Sequence, residues 1–483
     1  MCGVSTCPVV SAGVAGALGG GRVVVASLIA IVQGIAHELL LFAAVGFVIF
    51  GLDDVATDLI WIVRSIWRRV TVYRRNPRAT AASLRAKGAA GRIAVFVPAW
   101  DESAVIAPML RHLTGTVDDP DYRVYVGVYA NDVATRAAAE SVDDERIRLV
   151  VLAQPGPTTK ADCLNSVWTA LRHDDAARGE RTLAIVLHDA EDVVHRDELT
   201  VHRALIDRFD FVQLPVAPLL NPNSRWIEGH YADEFAESHG KTLVVREAVG
   251  AGIPAAGVGC AFRVDTLATI ADERGGSPFD AESLTEDYEL GLRLGERGLH
   301  GVFVRVPDGD ERLPVAVRAH FPSHIDAAVR QKSRWIAGIA LSGWDRLGWR
   351  GGPAEHWMRL HDRRAVISSL LLLAAYFGIL VQATLTVASW FLPVPQPQFS
   401  ELFHVLLIIC AVLLVWRLVM RFVFTARAYG FGEGLRSIPR AVVANAIAIM
   451  AARRAFNLYR RVRRDGIVRW DKTAHRFPET VQR

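Results

Sequence analysis

The stretch Leu183-Ala184-Ile185-Val186-Leu187-His188-Asp189-Ala190-Glu191-Asp192 decides the fold. It is an apolar run of strand length that ends in a cluster of acids. Three comparable runs precede it, at residues 93–97 (closed by Pro98), 123–129 and 147–152. In the second of these Val124, Val126 and Val128 alternate with Tyr125 and Tyr129. Helical stretches fall between the runs, at 103–113, 134–141 and 160–171. Strand, helix, strand repeated three times predicts a doubly wound α/β sheet with right-handed crossovers. Such sheets bind ligands at the carboxyl ends of their strands. Three of those ends are acidic: Trp100-Asp101-Glu102, Asn131-Asp132 and the stretch from His188 to Asp192. They are predicted to converge on one crevice. No Gly-x-Gly-x-x-Gly or Gly-x-x-x-x-Gly-Lys-Ser/Thr appears, so a phosphate bound there needs a metal and side chains instead of a glycine loop.

Asp189 and Glu191 offer oxygen ligands suited to Mg2+ or Mn2+, which can bridge a diphosphate. The plainer reading is a solvated acidic turn. Farther on, Ser283-Leu284-Thr285-Glu286-Asp287-Tyr288 precedes a helical pattern. Ser283 with Glu286 fits a capping box, which places Asp287 in the first helical turns. A carboxylate there is kept ionised by the helix dipole and can act as a general base, or it can serve only the cap. In Gln331-Lys332-Ser333-Arg334-Trp335, positions 331, 334 and 335 share one helix face. An amide and an indole grip sugar hydroxyls and ring faces, and a guanidinium grips phosphate at two points.

The chain has 483 residues, 51% of them hydrophobic, and a mean hydropathy of +0.22. That excess predicts spanning segments and a lipid bilayer as partner. A net charge of +4 gives no reason to expect nucleic acid. Five cysteines are too few and scattered for a disulfide scaffold or a zinc site, and Cys2 and Cys7 are expected to do nothing. Only Arg22 precedes the first apolar stretch, so no cleaved signal peptide is expected.

The expected order begins with a tail at 1–22 and a first span at 23–50, interrupted by Gln33, His37 and Glu38. For His37 and Glu38 partner packing is favoured over a functional role. An interfacial basic linker follows at 51–90, rich in Trp and Arg, and then the α/β domain at 91–350. Spans at 365–391 and 402–424 flank an outside turn, Pro393-Val394-Pro395-Gln396-Pro397. An interfacial helix at 436–459 and a basic tail at 460–483 complete the chain. The apolar core of that helix, 441–452, is too short to cross. Three crossings put the N-terminus outside and both basic regions inside, as the charge rule requires.

Taken in order, the motifs resemble those of the membrane-bound family-two glycosyltransferases, the group of cellulose, chitin and hyaluronan synthases. Within that group the chain is similar to the NfrB type, a bacterial inner-membrane type first named for phage adsorption. The resemblance rests on Val97-Pro98-Ala99-Trp100-Asp101-Glu102, Tyr129-Ala130-Asn131-Asp132, Lys160-Ala161-Asp162-Cys163-Leu164-Asn165 and the acids from Asp189 to Asp192. It continues through His230-Tyr231-Ala232-Asp233-Glu234-Phe235-Ala236-Glu237, Gly257-Val258-Gly259-Cys260-Ala261-Phe262-Arg263, Thr285-Glu286-Asp287 and Gln331 to Trp335.

The resemblance implies a cytoplasmic α/β domain of the Rossmann-like GT-A fold beside an α-helical transmembrane region. It implies inverting transfer from a UDP-sugar donor to a glycan or lipid-linked acceptor, with Mg2+ or Mn2+. Glu102 and Asp132 would hold the nucleoside end, and Lys160 would lie near the donor. Asp189 and Glu191 would stand where the family has its metal-binding Asp-x-Asp, with Asp192 as a substitute ligand. Asp287 takes the position of the base. Gln331, Arg334 and Trp335 take that of the acceptor and diphosphate grip. The loop from Gly257 to Cys260 would admit the acceptor close to the backbone, or is a plain tight turn. His230 and Glu234 are expected to be structural. The segment from Trp470 to His475 resembles a gating segment.

A processive polysaccharide synthase with an envelope export partner is the favoured reading. Single transfer to a lipid phosphate and an idle envelope receptor are the alternatives. The cyclic-di-GMP-binding domain of longer NfrB-type proteins is not expected within this sequence, so control by that nucleotide would act through a separate partner.

Overall fold

The structure is a computed structural model that describes residues 12–309, 312–391, 399–466 and 475–478, with backbone alone for 12–26. The expectations for Cys2, Cys7, the turn at 393–397 and residues 470–474 lie outside the described residues.

All four anticipated strands form: β1 (Arg92–Pro98), β2 (Tyr122–Tyr129), β3 (Ile147–Leu152) and β4 (Thr182–Leu187). They are mutually parallel, with β1 between β2 and β4 and β3 outside β2. The helices that cross between them span Ile106–Thr116, Val133–Glu140 and Lys160–Arg178. The last is fixed at both ends. Thr159 and Asp162 form a reciprocal capping box, and Gly179 closes the helix at φ 63°.

Five further short strands complete the domain: β5 (Phe211–Gln213), β6 (Val216–Pro218), β7 (Cys260–Arg263), β8 (Gly301–Phe303) and β9 (Val317–Ala319). The main sheet runs β3-β2-β1-β4-β7-β5-β8, while β6 and β9 pair in a small second sheet. β7 is antiparallel to both β4 and β5, so the sheet is mixed, not wholly parallel. Alternate residues of the central strands feed two cores. Phe96, Tyr125, Ile185 and Phe262 bury on one face, and Val95, Val124, Val186 and Ala261 on the other. Removing the Phe96 ring from such a site costs about 3–5 kcal/mol. The chain order reverses between β1 and β4, and a crevice is expected at that switch point.

Two compact units divide the chain. The larger joins Val55–Val366 to Arg417–Arg483 and holds both sheets. The smaller comprises the described parts of Met1–Asp54 with Ile367–Trp416. In it, a Cβ at Gly46, Gly51 or Gly378 would run into Leu371, Leu413 and Leu40, so missing side chains allow close helix approach. The His37 ring lies against Phe399 and Phe403, which is partner packing, whereas Glu38 is exposed.

Among the described residues four helices are long and apolar enough to cross a membrane: Ser27–Arg75, Ala365–Ser389, Glu401–Tyr429 and Phe431–Asp465. The expected break after residue 50 is absent. One α-helix runs from Ala12 to Trp67, since neither proline nor a left-handed glycine interrupts it. The helix Phe431–Asp465 packs along Ile325–Trp335 and buries Arg440, Ile447, Ala451 and Ala455. Its apolar run thus has a partner within the larger unit.

Candidate active site

A cavity of about 520 Å3 opens where the chain leaves β1 and β4. Lys160 enters it from the first turn of Lys160–Arg178, its Nζ 2.6 Å from Asp189 Oδ1. Burial opposes the lysine charge, but Asp189, Glu286 and Asp287 outweigh it and raise the pKa. Burial likewise opposes ionisation of Asp189, yet Lys160 holds it below the ordinary carboxylate value. The two form a charged pair at neutral pH.

Glu191, expected to share a metal with Asp189, turns the other way. Its Oε2 lies 3.2 Å from His475 Nδ1, which is also 2.9 Å from Glu102 Oε1. Donor atoms of Glu102, Glu191 and His475 all lie within 4.8 Å of one another. Burial, helped by Asp189 and Glu102, pushes Glu191 up to about 8 against the pull of His475. Burial disfavours the imidazolium, but Glu191 and Glu102 lift His475 to about 9. The imidazolium puts between two carboxylates the positive charge a divalent ion would put there. Two carboxylates and an imidazole are a donor set that fits Mn2+, or Mg2+ with the imidazole set aside. Asp189 thus faces Lys160 while Glu191 faces His475.

Asp192, the candidate substitute ligand, braces the turn. Its Oδ2 accepts the Asp189 N–H at 2.9 Å and faces His188 Nδ1 at 3.0 Å. His188 Nε2 in turn lies 2.9 Å from Glu198 Oε1, all of it buried. Burial opposes protonation of His188, but Glu198 and Asp192 lift it to about 10.

Asp287 stands in the first turn of the helix Glu286–Glu296, as anticipated, but the expected capping box does not form. Ser283 lies two residues too early. Its Oγ donates to Glu289 Oε1 at 2.6 Å and accepts the Thr285 N–H at 3.2 Å. Burial raises Asp287 while Lys160 opposes the rise. Burial and the Asp287 charge together bring its neighbour Glu286 up to about 7. Gly257, at φ +77°, faces this pair: a Cβ there would strike Asp287 Oδ2 and come 3.4 Å from Lys160 Nζ. The loop at 257–260 therefore makes a close approach, and more than a simple turn depends on its first glycine.

Gln331, Arg334 and Trp335 all reach the cavity from the helix Ile325–Trp335. Lys332 is turned away to pair with Glu234 at 2.5 Å, which fixes the face the helix presents. Gln331 Oε1 is buried and has no hydrogen-bond partner among the described residues. Such an atom is costly unless something donates to it. Arg334 lowers Asp189, Glu286 and Asp287 through its charge. Trp335 meets Tyr231, Phe235 and Phe321 edge-on, so its ring is held upright. His230 bonds to the Ile227 carbonyl, and burial, then Lys332, pushes it down to about 3. It is neutral, with its buried Nε2 lacking a hydrogen-bond partner among the described residues, and its neighbour Glu234 pairs with Lys332 at the cavity wall.

Glu102 lines the cavity, but Asp132 does not. Asp132 follows β2, one strand away from the switch point. It caps Val133–Glu140 through the Thr135 N–H, and its Oδ2 accepts the Asp101 N–H at 2.6 Å. Asp101 has φ 53°, a left-handed conformation that Asp tolerates better than most residues. Asp132 thus holds the turn that carries Glu102. Sequence reasoning missed the aromatic wall around Trp335 and the pairing of His475, 373 residues from Glu102. The motif ending at His475 was the one signal for it, and spacing alone gives none.

The description "Glycosyltransferase like family 2" matches residues 90–338, half of the chain, and the chain belongs to that family. The mixed sheet is the Rossmann-like GT-A fold. The chain is 36% identical over 456 residues to bacteriophage adsorption protein B of Escherichia coli K12 and equally to bacteriophage N4 adsorption protein B of Escherichia coli O157:H7. The match takes in 90% of this chain and 61% of each relative, so the chain spans about three fifths of their length. Among solved structures it is similar to the mannosyltransferase PcManGT from Pyrobaculum calidifontis, in complex with GDP-Man and Mn2+. The TM-score is 0.46 at 18% identity, covering 84% of this chain and 99% of that one. It is also similar to glucosyl-3-phosphoglycerate synthase from Mycobacterium tuberculosis, with TM-score 0.35 at 18% identity over 58% of this chain and 86% of that one.

Proposed function

We propose that this protein is a membrane-bound inverting glycosyltransferase that moves a sugar from a UDP-sugar to a growing polysaccharide for export. One observation carries the reading. A single cavity gathers the acids that end β4, the carboxylate of Asp287 and the amide, cation and indole of Gln331, Arg334 and Trp335. The acceptor sugar stacks on Trp335 and donates a hydroxyl hydrogen bond to the partnerless Gln331 Oε1. Asp287 takes the proton from the attacking hydroxyl. The acceptor oxygen forms a bond to the anomeric carbon as the bond to the diphosphate breaks, and the electron pair leaves with UDP. Lys160 and Arg334 offset the charge that gathers on the leaving diphosphate. Glu102, Glu191 and His475 would hold Mg2+ or Mn2+, which when bound supplies Lewis-acid stabilisation of that diphosphate. Asp132 acts through the Glu102 turn.

In this reading the protein sits in the bacterial inner membrane with the catalytic domain on the cytoplasmic side; the apolar helices and the basic residues at 64–85 and 453–464, taken with the charge rule, support it. The relatives named for phage adsorption are in keeping with an envelope export partner. The test is product analysis with a radiolabelled UDP-sugar and the purified full chain. Label in a size-graded polymer is expected. Label in a singly glycosylated lipid would contradict the polymerising part of the reading.

A further inference from the structure

The larger unit holds a second cavity, of about 250 Å3, that shares Val216, Phe235 and His239 with the wall of the first. Three arginines line it, Arg305, Arg312 and Arg427, and among its described lining residues there is no Asp or Glu. Arg305 Nη1 reaches one acceptor, the Gly240 carbonyl at 3.4 Å. The charges that act on it are those of Arg78 and Arg427, both cations. Arg427 lies over the Trp61 ring at 5.4 Å, and Trp61 meets Phe424 edge-on at 4.9 Å. The cavity is thus cationic on one side and aromatic on the other.

Like charges brought together repel, and a site that collects them without an acid is completed by an anion from outside. The placement of the walls narrows which anion. Trp61 belongs to the helix Ser27–Arg75, and Phe424 and Arg427 belong to Glu401–Tyr429. Both helices are candidate spans, and all three residues sit toward their C-terminal ends, among Arg64, Arg68, Arg69, Arg417 and Arg421. Trp beside Arg at the end of a span marks the headgroup level of a bilayer.

We propose that this cavity binds a phosphate group, held by Arg305, Arg312 and Arg427, and that the phosphate is the headgroup of an anionic phospholipid whose chains run past Trp61 and Phe424. The shared wall at Phe235 and His239 puts the bound lipid directly behind the sugar-transfer cavity.

The full chain in detergent is titrated with short-chain phosphatidylglycerol, short-chain phosphatidylcholine and inorganic phosphate, each read by native mass spectrometry and by Trp fluorescence. Phosphatidylglycerol is expected to bind about tenfold or more tighter than phosphatidylcholine, because only its headgroup carries net charge. The Arg305→Gln/Arg427→Gln protein is expected to lose about tenfold or more of that affinity, since each charge-assisted bond is worth that much. Its affinity for UDP should stay as in the native chain. Arg305→Lys/Arg427→Lys should restore part of the lipid affinity, and Arg312→Gln alone gives a milder variant should the double one not fold. Saturation by inorganic phosphate, abolished in the same variants and with no lipid preference, would uphold the anion site and make free phosphate its ligand. Equal phosphatidylglycerol binding by native, Gln and Lys proteins would overturn the proposal.

Discussion

Replacing Gly257 with Ala probes whether turnover depends on where Asp287 stands. The new methyl meets two separate obstacles. At φ +77° an L-residue is strained by about 1–2 kcal/mol, whatever its neighbours. The Cβ also strikes Asp287 Oδ2, while Lys160 Nζ, at 3.4 Å, is in ordinary contact and is spared. Gly250 supplies the control, because it has φ +74° and open space where its Cβ would go. Gly250→Ala and Gly257→Ala should therefore lose similar stability, about 1–2 kcal/mol, by thermal or denaturant unfolding. Only Gly257→Ala should move the carboxylate, by roughly 1 Å, and a displacement of that size costs about 100-fold in rate. The assay is UDP release under saturating donor. The expected result is a loss in kcat with little change in donor KM, since the base is used in the transition state. Release by Gly257→Ala within about twofold of the Gly250→Ala rate would refute the link between this glycine, the carboxylate and the chemistry.

Three further outcomes follow from the same geometry. Arg334→Lys should raise the donor KM about tenfold or more, because an ammonium cannot make the two-point contact; unchanged kinetics would exclude that grip. His475→Ala should weaken Mn2+ binding about tenfold or more, followed by the electron paramagnetic resonance of the bound ion, whereas unaltered binding would return the metal to Asp189. Glu198→Gln should make stability differ with pH in a set direction. Burial opposes Glu198, but His188 brings it from 4.5 down to about 2, so its stabilisation is complete above 4.5 and is lost as pH falls through about 2. His188, lifted from 6.5 to about 10, stabilises fully below 6.5 and loses this as pH rises through about 10. The gap in melting temperature between native protein and variant should thus be widest between 4.5 and 6.5 and narrow toward 10; a gap constant across that range would contradict the buried pair.

The parts of this fold that were legible in the sequence are those where burial forces a pattern. β1, β2 and β4 are buried runs of six to eight residues, long enough to stand out, and β3, of six residues, buries Leu152 alone but keeps an apolar stretch of strand length. β5, β7 and β8 have three, four and three residues, too few to show any period, and with them went the antiparallel β7. The helix face that carries Gln331, Arg334 and Trp335 could be read because helical spacing fixes it. The partner of Glu191 could not. It depends on which cation reaches which acid in three dimensions, and Lys160 and His475 lie far apart in the sequence, on either side of Glu191. Asp132 shows the limit from the other side. An acid at a strand end was expected in the crevice, but Asp132 is not in the cavity wall, and it accepts hydrogen bonds from the Asp101 and Thr135 N–H groups, which brace the turn leading to Glu102.

The most direct test of the central claim is UDP release by the purified, detergent-solubilised chain, offered a panel of UDP-sugars with Mg2+ or Mn2+, beside Asp287→Asn. Release with one sugar, abolished in the variant while UDP still binds, is the predicted result. Release by Asp287→Asn at the native rate would contradict the assignment of the base, and no release from any donor by the folded native chain would contradict sugar transfer itself.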